Sequence, residues 1–283
     1  MKKILIIIIF YLASVTVFAQ ENFDKYISLA FEHFEKENYD DCIELCERII
    51  FFDNENKNFT QLNILIADAY NRKGDFRKAA LYYNSSFNSE QEKSKKNDII
   101  FRCALNYYLS NDTIFAYSEM YGIDENSLNN GQRDKFHLIM AVLDFKTGRY
   151  KSSKEHFRKI EGLNENQLKL LDDMFLKIKK INRKYNPTKV EWMSIVPGLG
   201  QLWCGYYKES ANAFLITSAF YALFLNVSLK YNIVDGVLVV FPWFNRYYKG
   251  GVIKSYKLAE KKREVERNKI LNKILLSFPS IEI

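Results

Sequence analysis

The chain has 283 residues, with 4 prolines and 11 glycines against 19 tyrosines and 22 phenylalanines. That balance excludes a collagen-like or turn-rich β architecture and points to an all-α chain packed through aromatic side chains, long enough for more than one core. The net charge is +7, and ten basic residues against three acids fall between residues 245 and 277, so the rest of the chain is near neutral. A basic block beside apolar segments suits anionic lipid headgroups and argues against nucleic acid.

Residues 1–19 have the three parts of a secretory signal: Lys2 and Lys3, an apolar run, then Val17 and Ala19 at the small-residue positions before Gln20. The run is shorter than the roughly 20 residues of a spanning helix, so cleavage after Ala19 is expected, with the mature chain outside the cytoplasm. No cysteine follows the cleavage point to take a lipid. Cys42, Cys46, Cys103 and Cys204 form no C-x-x-C pair. Cys42 and Cys46 share one helical face, where disulfide geometry is poor. They read as small buried thiols, and no metal or cofactor is expected.

Residues 20–185 hold a period. Ala30, Ala67, Ala104 and Ala141 are spaced 37 apart; twelve residues on come Cys42, Ala79, Ala116 and Ser153, and four further Cys46, Tyr83, Met120 and Phe157. Small residues at fixed offsets are what closely crossing helix pairs require. Turns are expected at 36–39, 73–76, 110–113 and 147–150, with Gly74 and Gly148 supplying the positive φ that ends a helix. Residues 164–184 read as a terminal helix covering the last apolar face, through Leu168, Leu171, Phe175, Ile178 and Ile181.

The pattern resembles the tetratricopeptide repeat (TPR), most clearly in Ile66-Ala67-x-x-Tyr70, Gly74-Asp75-Phe76 and Ala79-x-x-x-Tyr83. The period is 37 where 34 is usual, and the closing proline is absent. The resemblance implies a TPR-like solenoid of four helical hairpins whose first helices line a groove for a protein or peptide partner. Mapped residue by residue, that groove includes Phe31, Phe34, Asp68, Asn71, Phe101, Tyr108, Val142 and Phe145, with Ile27, Ile64, Leu105 and Leu138 beside them. The competing reading has the same side chains packing against neighbouring helices of a short array.

Beyond residue 186 the composition changes: all four prolines and all three tryptophans lie there. Residues 211–229 are 19 without a charge, enough to cross about 30 Å of hydrocarbon. A shorter apolar segment, 233–244, carries Asp235. Trp203, Tyr206 and Tyr207 precede the first segment and Trp243, Tyr247 and Tyr248 close the second, as a membrane interface selects. A transmembrane hairpin is expected over 186–251, with the bilayer meeting 192–249 and a basic amphipathic tail at 252–283. Two buried helices of a soluble domain are the alternative.

Between array and hairpin lies Pro197-Gly198-Leu199-Gly200-Gln201-x-Trp203-x-Gly205, and after it Arg246-Tyr247-Tyr248-x-Gly250-Gly251. These resemble the P-G-x-G-Q-x-Y-x-G signature of small bacterial membrane-hairpin modules similar to the two-transmembrane-helix family, with Trp203 where tyrosine is usual. The resemblance implies placement in a membrane and no particular activity. Physically, Pro197 stops a helix, the glycines allow close approach, and Gln201 can serve backbone groups freed by the break. A phosphate-binding reading of G-L-G fails, since no Lys-Ser/Thr follows.

Nothing in the chain resembles a nucleophile elbow, a zinc helix or a histidine triad, so no enzyme activity and no catalytic residue is expected. The leading expectation is a membrane-tethered scaffold of the bacterial cell envelope, its TPR-like array outside the cytoplasm and mediating protein-protein interaction. The runner-up is a hairpin that binds or passes a small solute or lipid, with Asp235 as its intramembrane ionisable group. Topology holds a conflict: two full crossings after export return the basic tail outside, against the tendency of Lys and Arg to stay cytoplasmic. An incomplete second crossing, a hairpin dipping from the outer face, or an array that is not exported would each resolve it; two insertions with an outward array are favoured.

Overall fold

Four side chains with almost no volume set the spacing of the first half of the molecule. In a computed structural model describing residues 23–53 and 56–278, Ala30, Ala67, Ala104 and Ala141 are all fully buried. So are Cys42, Ala79, Ala116 and Ser153, and Cys46, Tyr83, Met120 and Phe157 follow them at 2% exposure or less. The expected export segment and residues 279–283 lie outside the described residues. Among those described, the chain is helical throughout and has no strand. It divides after Gly162 into two compact units.

The first unit is four successive helix pairs: α1 (Phe23–Glu35) with α2 (Tyr39–Phe52), α3 (Phe59–Arg72) with α4 (Phe76–Ser89), α5 (Lys93–Leu109) with α6 (Thr113–Tyr121), and α7 (Asn130–Lys146) with α8 (Tyr150–Arg158). A 3₁₀ turn, Glu125–Ser127, precedes α7. Where large residues would hold two helices apart, alanine, cysteine and serine let them close. In the fourth pair the Ser153 hydroxyl also donates to the Ala141 carbonyl at 2.7 Å.

Each pair turns through three residues, and the middle one is left-handed: Glu37 (φ 61°), Gly74 (78°), Asn111 (67°) and Gly148 (83°), again 37 apart. The next amide reaches five residues back, Asn38 to His33, Asp75 to Tyr70, Asp112 to Tyr107 and Arg149 to Asp144, at 2.8–2.9 Å. This is the six-to-one bond that closes a helix over a left-handed residue. Glu37 carries a side chain where the first repeat's geometry favours none. Glu37→Gly is therefore expected to stabilise the unit by about 1 kcal/mol, and Gly74→Ala, with no atom within 4 Å of the new methyl, to cost about 1 kcal/mol through backbone strain alone. Urea midpoints of the two variants would check both signs.

The second unit starts with α9 (Glu165–Lys184), opened by a capping box in which Asn164 and Gln167 exchange side-chain and backbone bonds. Then come α10 (Pro187–Met193), α11 (Leu199–Trp203), α12 (Tyr207–Lys230), one helical turn at Ile233–Asp235, a π-helical turn at Gly236–Val240, and α13 (Phe241–Ser277). Pro242 accounts for the π turn. It has no amide hydrogen for the carbonyl four residues back, and its ring would press on that carbonyl, so the Phe241 amide bonds Gly236 instead, five back.

Two expectations change here. The terminal helix α9 does not group with the repeats; it belongs to the second unit and runs antiparallel to α13. Gln167 donates to the Ser277 carbonyl at 2.8 Å, and Arg267 to Asn182 at 2.6 Å. Its apolar stripe, Leu171, Phe175 and Ile178, is buried, as are Ile270, Leu271 and Ile274 of α13. Nor is the basic tail a separate element. It is continuous with the second apolar segment in one 37-residue helix.

Candidate functional site

The glycine motif is a clasp between α10, α11, α12 and α13. Gly198 is left-handed (φ 88°), and a methyl placed on it would lie 2.6 Å from the Ser210 carbonyl. Ser210 returns its hydroxyl to the Gly198 carbonyl at 2.8 Å, fixing the start of α12 on the motif. A methyl on Gly200 would collide with the Ser194 hydroxyl and sit 2.7 Å from the Val190 carbonyl and 3.1 Å from Ser255. Gln201 is 1% exposed and donates to the Gly251 carbonyl on α13 at 2.8 Å, while its own oxygen is buried without a donor. Trp203 donates to the Lys184 carbonyl at 2.9 Å and lies under the Lys189 ammonium. Gly205 (φ 83°) turns the chain into α12. Pro197 precedes the left-handed Gly198 at the break between α10 and α11.

Of the later motif residues, Tyr247 stacks on Phe220 of α12 with ring centres 5.1 Å apart, while Arg246 and Gly250 are exposed. Tyr248 donates to the Ile195 carbonyl at 3.0 Å. Ser210 and Ser255 lie outside the motifs and complete the clasp, together with the Ser194 hydroxyl and the carbonyl of Gly251, the last residue of the later motif. Serines are too common to signal a role, and a carbonyl acceptor has no residue type.

Around the clasp the surface is apolar. Trp192, Ile195, Val196, Leu199 and Leu202 are all exposed. Helix α12 is long and apolar enough to cross a membrane, with almost none of it covered; Phe214, Leu215, Tyr221, Leu223, Leu225 and Leu229 face outward. It is the one such helix among the described residues. Asp235 stands at the apex of the turn between the two legs, where its amide is capped by Asn232 at 3.0 Å. It is level with the end of the uncharged stretch, next to Gly236, which approaches Ser228 and Phe224.

In the first unit the mapped groove residues separate. Phe101 and Phe145 are 1% and 2% exposed and belong to the core, so neither can line an open groove. Phe31 is exposed; Phe34, Tyr108 and Val142 are half-buried, Phe34 edge-on to Tyr39 and Tyr108 beneath the Lys146 ammonium. Between α3 and α5 the surface is polar. Asp68 accepts from the Tyr83 hydroxyl and pairs with Arg102 at 3.3 Å, and Asn71 donates to Asn106 at 2.8 Å, which in turn caps the Arg102 carbonyl. Arg102, Asn106 and Tyr83 are additions; the 34- and 35-residue separations of Arg102 and Asn106 from their partners mark contacts between equivalent helices of successive repeats, whereas Tyr83 reaches Asp68 within one helix pair.

The strongest electrostatic feature lies at the fourth repeat. His137 is 1% exposed, with Nδ1 3.2 Å from His156 Nδ1 and Nε2 3.4 Å from Glu125. His156 Nε2 faces Asp144 at 3.9 Å, so the nearer carboxylate favours the neutral pair in which His137 donates from Nε2 to Glu125 and accepts from His156 Nδ1. Burial drives the His137 pKa down to about 4, against the pull of Glu125 and Asp134 and with the push of Lys159 and His156. Burial lowers His156 too. The buried carboxylate of Asp144 gathers Tyr117, Arg149 and Ser152 beside it. No cluster of three or more potential metal ligands forms among the described residues, and the four cysteines are buried free thiols.

Comparison with known proteins finds no matching family model, no matching curated protein and no matching solved structure.

Proposed function

We propose that the protein is a non-enzymatic, membrane-tethered scaffold of the bacterial cell envelope, in which a TPR-like array outside the cytoplasm binds a protein partner. The observation that carries the tether is α12: 24 residues whose apolar side chains face outward with nothing over them, beside a clasp whose own apolar side chains are exposed. Such a surface is costly in water and favourable in hydrocarbon. Support for the array comes from the four helix pairs, equal in period, in small-residue spacing and in the left-handed turn residue. Repeats of that kind present continuous faces suited to a peptide or helix. The face we assign to the partner is centred on Asp68, Asn71 and Arg102, with the buried Asn106 accepting from Asn71 behind it, and is flanked by Phe31, Tyr108 and Val142.

Affinity capture from detergent-solubilised membranes tests the reading. The full chain should sediment with membranes and retain a partner, and Asp68→Ala with Arg102→Ala should release that partner while leaving the chain in the membrane. A chain ending at Gly162, which leaves out the whole second unit, should no longer sediment with membranes. Reporter fusions at residues 150 and 270 would place the array; a cytoplasmic signal at 150 would sink the envelope assignment.

A further inference from the structure

The two legs of the second unit are unequal in charge, and their register turns that inequality into a site. Gly251 of α13 lies against Ala213, with 3.9 Å to a methyl built on it, Tyr247 stacks on Phe220, and Gly236 approaches Phe224 and Ser228. Arg246, next to Tyr247, is thus beside the middle of the uncharged 211–229 stretch. It stands about 7 Å above the Gly251 level and about 16 Å below Asp235, counting about 1.5 Å per residue. The depth over which both legs are free of charge is therefore about half of a 30 Å hydrocarbon core.

Between Asp235 and Glu260 the chain holds four cations, Arg246, Lys249, Lys254 and Lys257, and no acid. All four are exposed, and none has an acidic or hydrogen-bonding partner among the described residues, whereas Lys262 and Lys269 further along the same helix are both paired with Glu266. Helical spacing gathers Trp243, Arg246, Lys249, Gly250, Ile253 and Lys257 on one face. In the middle of it Gly250 leaves the helix backbone bare, with open space and no atom within 4 Å of a methyl built there. At the level of Arg246 and Lys249 α12 has no acid; its one carboxylate, Glu209, lies in its first turn.

We propose that this face binds an anionic phospholipid, with the phosphate over the bare backbone at Gly250 between Arg246 and Lys249, Lys257 on the headgroup side and an acyl chain along Trp243. The site rests on the membrane reading above. It commits to a lipid over a free anion because the cations share a helix face with Trp243 and directly follow the exposed apolar side chains of Val237, Leu238, Val239 and Phe241. A guanidinium held below the headgroup level is met by drawing a phosphate toward it, and the charge of the phosphate selects anionic over zwitterionic lipid.

The test uses the full chain reconstituted into vesicles of phosphatidylcholine alone or with phosphatidylglycerol, followed by flotation and mass spectrometry of the lipid that stays bound after extraction into detergent. Phosphatidylglycerol should be retained over phosphatidylcholine by about tenfold or more. Arg246→Gln with Lys249→Gln should bring the two to parity, and so should Gly250→Leu, which covers the backbone between the two cations and keeps both charges. Lys269→Gln with Lys273→Gln, on the far part of the same helix, should leave the preference intact. Flotation without any lipid preference, a preference that survives both site variants, or displacement of the lipid by millimolar inorganic phosphate would overturn the site while sparing the tether. Failure to float with either vesicle would overturn the tether and the site together.

Discussion

Replacing Gly198 with alanine is expected to cost the second unit about 3 kcal/mol and to detach α12 from the clasp. Two terms add. A side chain in the left-handed conformation found there costs about 1–2 kcal/mol, and the new methyl, 2.6 Å from the Ser210 carbonyl, forces backbone apart at an overpacking cost of about 1–3 kcal/mol. Gly200→Ala meets the same obstacle at the Val190 carbonyl without the conformational term. Thermal unfolding in detergent, with Gly250→Ala as a control whose methyl enters open space, would separate clasp strain from the general effect of a lost glycine. Equal midpoints for Gly198→Ala and Gly250→Ala would refute the argument.

The second large effect is one of pH. His137 sits in the fold with its pKa near 4, below the unfolded value of about 6.5, because burial penalises the imidazolium. A group whose folded pKa is depressed in this way binds fewer protons folded than unfolded in the window between the two values. Its contribution is thus whole above about pH 6.5 and declines as pH falls toward 4, by about 1.4 kcal/mol per unit and about 3 kcal/mol in all. His156 acts in the same direction. Denaturant midpoints at pH 7, 5.5 and 4.5 should fall steeply in the native chain and more shallowly in His137→Gln. Parallel slopes in the two would mean that the titration lies elsewhere.

What could be read from the sequence and what could not divide along a physical line. The period was legible because helix crossings need small side chains at Ala30, Ala67, Ala104 and Ala141, a demand that residue type itself expresses. Membership of α9 was not. Its stripe of Leu171, Phe175 and Ile178 announces a buried face but not which surface covers it, and the helix alongside begins some 75 residues further on. The groove assignment failed at Phe101 and Phe145 for a related reason: a repeat offset fixes the face of the helix a residue occupies, while its burial depends on how closely the next helix approaches. Gln201 was recognisable as a residue that must bond backbone. Its acceptor, the Gly251 carbonyl, is a property every residue shares, so only coordinates could name it.

The unbroken course of α13 has a mechanical consequence. The helix leaves the π turn at Pro242, passes the clasp at Gly251 and Ser255, and continues to Ser277 without a further interruption. It is a lever with its fulcrum at the clasp. The arm beyond Gly251 is about 39 Å long, so a tilt of about ten degrees at the clasp would swing its far end by about 7 Å. Because α9 lies along that arm, any tilt of α13 at the clasp would be carried mechanically to residues 165–184, the part of the unit that joins the repeats in sequence; in the membrane-tethered reading proposed above, a change in bilayer thickness would be one source of such a tilt.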